Sequence, residues 1–255
     1  MPLPTAGQEK FSYNISITIS KIINIDEIDG KFSIKMTMNR TWINPQLTYM
    51  NLHKSKDLNI LTKEDKHLMW IPHVVFHNMQ SHDSKKRTDK LDTLQIIPNS
   101  EFSYRKSDKN QHKNARIFEG SENKINQEKE YSVDFMCDFH FAWYPFDTQI
   151  CSLMFYGNDK LAEVVPTTVH YLGPPHLSQH NFKSVSICSH NIQNRSGIIV
   201  EVFLGRPLFG SILNTFMPTI ILVVLSQMIG MFKSQEHIEM VIGVHLTILL
   251  VLATM

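Results

Sequence analysis

Cysteine is scarce in this chain, which has only Cys137, Cys151 and Cys188 among its 255 residues. Neither a Cys-x-x-Cys motif nor a correctly spaced histidine pair accompanies them, which argues against a zinc site. Cys137 and Cys151 instead bracket thirteen residues rich in aromatic side chains, CDFHFAWYPFDTQIC. This short apolar loop favours a disulfide, and a disulfide would indicate an oxidising compartment. The odd total excludes full pairing within the chain.

The chain also lacks a large net charge and the common catalytic motifs. Its formal charge at pH 7 is +1, whereas nucleic-acid binding requires a clustered excess of Lys and Arg. It contains no G-x-S-x-G, H-E-x-x-H or phosphate-binding motif. We therefore predict that the protein is not an enzyme, that it holds no cofactor or metal, and that nucleic acid is not its partner.

Both ends of the chain lack an expected feature. The first ten residues, MPLPTAGQEK, have no apolar core of a signal peptide, and the last residues stop inside an apolar run. We therefore expect an incomplete gene model or a fragment. Three Asn-x-Ser/Thr sequons are consistent with a secretory route, and they make glycosylation candidates of Asn14, Asn39 and Asn194.

Alternation of apolar and polar residues is what the sequence has in abundance. The alternating segments are 11–50, 130–141, 151–157, 182–192 and 197–205, and we also predict a strand over 66–78 with an edge or bend at Pro72. The segment IDEIDG, residues 25–30, is typical of a turn with acids at its tip. Many short strands separated by turn residues predict a mainly β fold, an immunoglobulin-like antiparallel β-sandwich over residues 1–206.

The composition changes after Arg206. No residue from Pro207 to Phe232 is charged, and about 20 apolar residues suffice to cross a bilayer as a helix. We predict a transmembrane domain over 207–255, with a first helix at about 207–232 and a partial second helix at about 238–255. Pro218 lies within the first span, where membrane helices tolerate proline. A buried helix of a soluble protein is the alternative.

The loop between Cys137 and Cys151 carries a distinctive run, Tyr144-Pro145-Phe146-Asp147, followed by Gln149. With this spacing, and with a sandwich leading directly into a membrane helix, the chain resembles the pentameric Cys-loop ligand-gated ion channels. The likeness extends to the tryptophan of the second strand, Trp42, and to the Trp-x-Pro strand. The chain departs from the family at Asn44 and Gln46, where an Asp and an Arg are usual, and at His73 in place of an Asp.

The resemblance implies a subunit of a channel that extracellular ligands gate, truncated within the second transmembrane helix. It implies a multi-pass protein of the plasma membrane, compatible with a postsynaptic location, whose N-terminal domain is extracellular. The implied partners are other channel subunits in a homo- or hetero-pentamer, a small-molecule or ionic ligand, and membrane lipid. A secreted or truncated ligand-binding module of the same fold, without channel activity, is an alternative.

The resemblance also assigns coupling residues. We expect the loop to present Tyr144, Pro145 and Phe146 to the membrane domain, because an exposed apolar tip marks a contact surface. A cation at the sandwich–lipid junction needs a carboxylate, so we predict that Arg206, Asp147 and Glu27 couple ligand binding to pore opening. The alternatives are that the disulfide is a structural staple and that the side chain of Arg206 extends to the lipid interface.

The family's binding strands yield few aromatic residues here. The candidates by alignment are Thr37, Val75, Tyr156, Asn158 and Arg195. An aromatic box for an amine is therefore unsupported, so either the ligand differs or the subunit contributes one face of an interface. Thirteen histidines raise the alternative of a proton- or zinc-gated chloride channel, but His73 and His77 would lie ~13 Å apart on a strand. Scattered surface histidines are the preferred interpretation.

The pore segment gives the remaining predictions. Residues 237–241, HIEMV, match neither the anion- nor the cation-selective pattern of the family. The following GVHLTILLVLATM resembles arthropod chloride-channel relatives, which favours anions. We predict that Glu239, Thr247 and Leu250 face the pore, with Leu250 as the hydrophobic gate.

Overall fold

A computed structural model describes residues 11–80, 92–106, 115–192, 194–231 and 242–248. The chain forms two compact units. The first comprises the described residues up to Phe139 together with Ile150–Pro175 and Phe182–Leu204. The second comprises His140–Gln149, His176–Asn181 and the described residues from Gly205 onwards.

Strands dominate the described part of the chain, as the alternation predicted. They are β1 (Phe11–Asp26), β2 (Lys31–Ile43), β3 (Thr48–Met50), β4 (Val74–Phe76), β5 (Asp92–Ile97), β6 (Arg105–Lys106), β7 (Arg116–Glu119), β8 (Lys124–Met136), β9 (Thr148–Gly157), β10 (Ala162–Tyr171), β11 (Asn181–Ile192) and β12 (Arg195–Gly205). A 3₁₀ turn, Lys56–Leu58, and the short helix α1, Lys63–His67, interrupt them.

The strands form three sheets, with orders β10-β1-β2-β8-β5, β11-β12-β9-β4 and β3-β7-β6. The pairs β1–β2, β2–β8 and β5–β8 are antiparallel. The prediction of an antiparallel sandwich fails for the pair β1–β10, whose strands run parallel. These two strands are far apart in the sequence, so no tight hairpin forces them into opposite directions.

The core lies between the five-stranded and four-stranded sheets. One face of β1 is buried at every second position, through Tyr13, Ile15, Ile17 and Ile19. The ring of Phe76 in β4 bridges the sheets, since its centroid is 5.2 Å from that of Tyr131 in β8 and 5.3 Å from that of Phe155 in β9. The period-2 pattern of the sequence therefore corresponds to an apolar face turned towards a second sheet.

The turn between β1 and β2 agrees with its prediction. The carboxylate of Asp26 accepts hydrogen bonds from the backbone N–H groups of Ile28 and Asp29, each at 3.1 Å. Gly30 closes the turn at φ 61°, a conformation that other residues rarely adopt. A Cβ there would also lie 3.2 Å from the carbonyl oxygen of Cys137.

The predicted strand over 66–78 is largely wrong. Its first residues belong to α1, and only Val74–Phe76 forms a strand. Thr62 starts the helix with a capping box, in which Thr62 and Asp65 bond each other's backbone N–H groups. Pro72 has no N–H for a ladder, and its carbonyl oxygen accepts from the buried Arg40 instead. Local capping thus overrides the apolar pattern.

The second unit contains contiguous helical segments where the first membrane helix was predicted. They are α2 (Leu208–Ser211), a π-helical stretch (Ile212–Phe216) and α3 (Met217–Met231). Pro218 follows the π-helical stretch, at a position where the missing N–H disturbs the regular hydrogen-bond ladder. Residues 242–248 are helical, and the rest of the predicted second helix lies outside the described residues. Among the helices that the structure describes, none combines the length and the apolarity of a membrane span.

Candidate functional site

The loop that the cysteines bracket is closed by a disulfide between Cys137 and Cys151. Both cysteines are buried and belong to the first unit. Cys188, on β11, is an exposed free thiol. The three cysteines therefore form one disulfide and leave one free thiol.

A buried glutamine organises the interior of the loop. The side chain of Gln149 accepts a hydrogen bond from the backbone N–H of His140 at 2.8 Å and donates one to the His140 carbonyl oxygen at 2.8 Å. Its amide N–H also donates to the carboxylate of Asp147. Gln149 thereby joins the two ends of the His140–Gln149 segment and orients the acid.

The tip of the loop is strongly apolar and exposed. Trp143 is 79% exposed and Phe146 is 70% exposed. Pro145, expected at the exposed tip, is buried, because the chain reverses there and the Phe146 N–H donates to the Trp143 carbonyl oxygen at 2.7 Å. Trp143 was not among the predicted coupling residues, although an apolar residue beside the aromatic-Pro-x-Asp run was a usable signal.

Arg206 and Asp147 form a buried ion pair. The Nε–H of Arg206 donates to both carboxylate oxygens, at 2.8 and 3.0 Å. The side chains are only 7% and 3% exposed, respectively. The guanidinium also lies over two rings of the loop, 4.8 Å from the centroid of Tyr144 and 5.7 Å from that of Phe141. Cation–π attraction and charge pairing therefore hold the same side chain.

The ionisation of Asp147 depends on this cluster. Burial opposes the charged form, but the hydrogen bonds from Arg206 and Gln149 and the charge of Arg206 outweigh it, so the pKa of Asp147 is lowered. The carboxylate is consequently charged at neutral pH. Glu27, the third predicted member of this group, lies in the β1–β2 turn of the first unit, and its part in coupling stays a prediction.

The loop also contacts the helical segment of its own unit. The ring of Tyr144 stacks on that of Phe216, with 6.5 Å between centroids and 17° between planes. Phe216 ends the π-helical stretch. Sequence reasoning assigned no role to Phe216, because its position in an apolar run gives no sign that it faces the loop.

A second cluster brings together four of the five predicted ligand-binding residues. In the first unit, the guanidinium of Arg195 lies 5.5 Å from the ring centroid of Tyr156. Its Nη1 group donates to the side-chain oxygen of Asn158 at 2.9 Å. Val75 pairs with Tyr156 across β4 and β9. Thr37 lies on the other sheet, opposite Thr18 and Glu130.

Of these four residues, Arg195 also lines a polar cavity of about 270 Å³. The residues that line it are Lys160, Leu161, Ala162, Glu163, Asn191, Asn194, Arg195 and Ser196. Tyr156 is the one aromatic side chain of the five candidates, and Arg195 already covers a face of its ring. The arrangement offers a guanidinium and amide groups to a ligand, and it does not form an aromatic box around an amine.

The histidines of the predicted strand do not form a metal site in the described residues. Only Val74–Phe76 between them is a strand, the ring of His77 lies 6.1 Å from that of Tyr156, and the carbonyl oxygen of His73 accepts from the Asn158 N–H at 2.9 Å. No group of three or more His, Cys, Asp or Glu residues within the described ranges could hold a metal ion.

Of the three predicted pore residues, the structure describes only Thr247. This residue lies in the helical stretch 242–248, and its hydroxyl donates to the carbonyl oxygen of Val244 at 2.8 Å. Glu239 and Leu250 lie outside the described residues.

The sandwich and its disulfide-closed loop define the class of protein, a ligand-binding domain of a receptor channel. The family model for the neurotransmitter-gated ion-channel ligand-binding domain matches residues 2–167, and the chain therefore belongs to this family. Its members are ligand-gated ion channels and not enzymes. They are membrane-embedded receptors with an extracellular ligand-binding domain, and they assemble as pentamers that bind small-molecule ligands.

One curated relative is the gamma-aminobutyric acid receptor subunit theta of the mouse, Mus musculus. It is 20% identical to this chain over 261 residues, which cover 98% of the chain. The chain spans 37% of the length of that relative.

Proposed function

We propose that this chain belongs to a subunit of a pentameric channel that opens when an extracellular ligand binds. Residues 1–206 form the extracellular ligand-binding domain, and residues 207–255 form the beginning of the membrane domain at the plasma membrane. The observation that carries this proposal is the buried Arg206–Asp147 pair. It ties the aromatic loop to the backbone segment that leads directly into α2.

The membrane assignment rests on composition and contiguity. No charged residue occurs between Pro207 and Phe232. The helical segments from Leu208 to Met231 follow one another without a break, and at 1.5 Å per residue they extend for roughly 36 Å, against about 30 Å of hydrocarbon. Each segment alone is shorter than a span, so the proposal requires all three to cross together.

The coupling mechanism that we propose rests on contacts within the second unit. Tyr144 stacks on Phe216, and Arg206 is held by Asp147 on the same loop. A displacement of the loop would therefore pull on the helical segment at two points. Trp143 and Phe146 provide further apolar contact area at the tip, and burying such area is favourable. Glu27, in the β1–β2 turn of the first unit, is also proposed to take part in coupling.

For the ligand, we propose a small molecule with an anionic group. The named mouse relative is a receptor subunit for gamma-aminobutyric acid, which carries a carboxylate. A guanidinium is the side chain best suited to pair with a carboxylate, and Arg195 is the candidate, with Tyr156, Asn158 and Val75 beside it. Thr37 on the other sheet would serve a neighbouring subunit's site. Anions are the proposed permeant ions, with Glu239, Thr247 and Leu250 along the pore.

Electrical recording tests the proposal. A full-length subunit that contains this chain is expressed in oocytes and challenged with amino-acid transmitters, amines, acidic pH and zinc. We expect a ligand-gated current whose reversal potential follows the chloride gradient. Surface-expressed protein that binds a ligand without passing current would instead support the ligand-binding module. Current evoked only by protons or zinc would overturn the assignment of the ligand.

A further inference from the structure

The three sequons occupy very different environments. Asn194 lies between β11 and β12, at the tip of their hairpin, and is exposed. Its φ of 62° is the left-handed conformation that asparagine tolerates in such turns. Among the described residues, no side-chain hydrogen bond engages its amide. An attached glycan would therefore break no described side-chain hydrogen bond.

Asn39 is the opposite case. It lies in β2, in the middle of the five-stranded sheet, with Ser16 of β1 on one side and Glu128 of β8 on the other. Its side-chain oxygen is buried and has no hydrogen-bond partner in the described part of the chain. A glycan is a bulky, solvated surface group, so attaching one here would separate side chains of both neighbouring strands.

We propose that Asn194 carries an N-linked glycan and that Asn39 stays unmodified. The inference rests on the extracellular placement of residues 1–206 proposed above. Because Asn194 lines the same cavity as Lys160, Glu163 and Arg195, the glycan would stand at the rim of the candidate ligand site. It would then restrict the size of the molecules that reach Arg195.

The test is site-specific mass spectrometry of a full-length subunit that contains this chain, expressed in insect cells. Asn14 is also exposed, on β1, so every variant carries Asn14→Gln. Enzymatic removal of N-glycans converts a glycosylated Asn to Asp, which reports occupancy at both remaining sequons in one sample without further mutation. We expect conversion at Asn194 and none at Asn39. An unconverted Asn194, or conversion at Asn39 in folded protein, would overturn the proposal.

Gel mobility provides a second readout with a matched control. Asn194→Asp should increase gel mobility by the shift that corresponds to one glycan, and Asp also tolerates the positive φ of this position. Asn39→Gln should leave the mobility unchanged. His53→Thr creates a sequon at Asn51, an exposed turn residue with φ 52°, and so calibrates one added glycan. If a subunit whose Asn194 carries no glycan still passes ligand-gated current, the glycan proposal is wrong and the channel proposal is unaffected.

Discussion

Arg206 and Arg195 each lie over a tyrosine ring, but their surroundings differ. Arg206 is 4.8 Å from the ring of Tyr144, almost fully buried, and paired with a carboxylate. Arg195 is 5.5 Å from the ring of Tyr156, half-buried, and paired with the neutral amide of Asn158.

The difference between the partners decides what each arginine can do. A buried charge that loses its partner is strongly destabilised, so Arg206 is fixed where it is. A partly exposed guanidinium bonded to an amide can exchange that partner for a ligand anion at little cost. These surroundings support the proposed roles, in which the first cluster transmits movement and the second binds the ligand.

Removing Arg206 gives the largest expected effect. Arg206→Ala leaves Asp147 buried without its cation, which should cost about 3 kcal/mol in the free energy of unfolding. Thermal unfolding and recorded currents measure the loss, and we expect severely impaired gating at normal surface expression. Arg206→Lys keeps a cation and should retain part of both properties. Unchanged gating in Arg206→Ala would refute the coupling role.

Breaking the disulfide should lower the free energy of unfolding by a similar amount to Arg206→Ala, but through the unfolded chain and not through one contact. Replacing Cys137 and Cys151 together by Ser should lower the free energy of unfolding by about 3 kcal/mol, because the unfolded chain gains loop entropy. Chemical denaturation under non-reducing conditions measures it. Cys188→Ser is the matched control, since it removes an exposed free thiol, and it should change stability little. Equal losses in both variants would contradict the structural role of the staple.

Acid should weaken the contribution of the Arg206–Asp147 pair to stability within a defined pH range. The pKa of Asp147 is lowered in the folded protein, so its stabilisation is complete above the ordinary carboxyl pKa of about 3.9 and is lost as pH falls below that value. The stability difference between the wild type and Asp147→Asn should therefore be constant from about pH 8 to about pH 5 and shrink below about pH 4. A difference that already shrinks near neutral pH would show that Asp147 is not held ionised by Arg206.

Changes at Arg195 should have the smallest effect on stability. Arg195→Ala should cost less than about 1 kcal/mol in unfolding, as is usual for exposed polar pairs. The same change should raise the ligand concentration for half-maximal current by about tenfold or more, because a charged hydrogen bond to the ligand is lost. Arg195→Lys tests whether charge alone suffices. An unaltered concentration dependence in Arg195→Ala would remove this residue from the site.

Much of the sandwich was predictable, because one buried face leaves a period-2 trace, as in the alternating isoleucines of β1. The Arg206–Asp147 pairing was proposed from the family's loop motif and from the need of a junctional cation for an acid. The position of Pro145 was not predictable, since its burial depends on how the chain reverses at the tip.

The second cluster shows where sequence reasoning stops. Alignment selected Tyr156 and Asn158 on the strand after the loop and Arg195 on the last hairpin, and only the three-dimensional pairing of β9 with β12 brings the arginine to the other two. The sequence pattern does not indicate that the guanidinium of Arg195 will cover the ring of Tyr156. The parallel pairing of β1 with β10 was also not predictable from the sequence, because these strands are far apart in the chain.

The most direct test of the account is a double-mutant cycle between Arg206 and Asp147, read as the ligand concentration for half-maximal current in a full-length subunit. If the pair transmits the movement of the loop, Arg206→Gln combined with Asp147→Asn should be little worse than either change alone, with a coupling of about 1 kcal/mol or more. If the two effects simply add, the residues act independently, and the ion pair is not the link between ligand and pore.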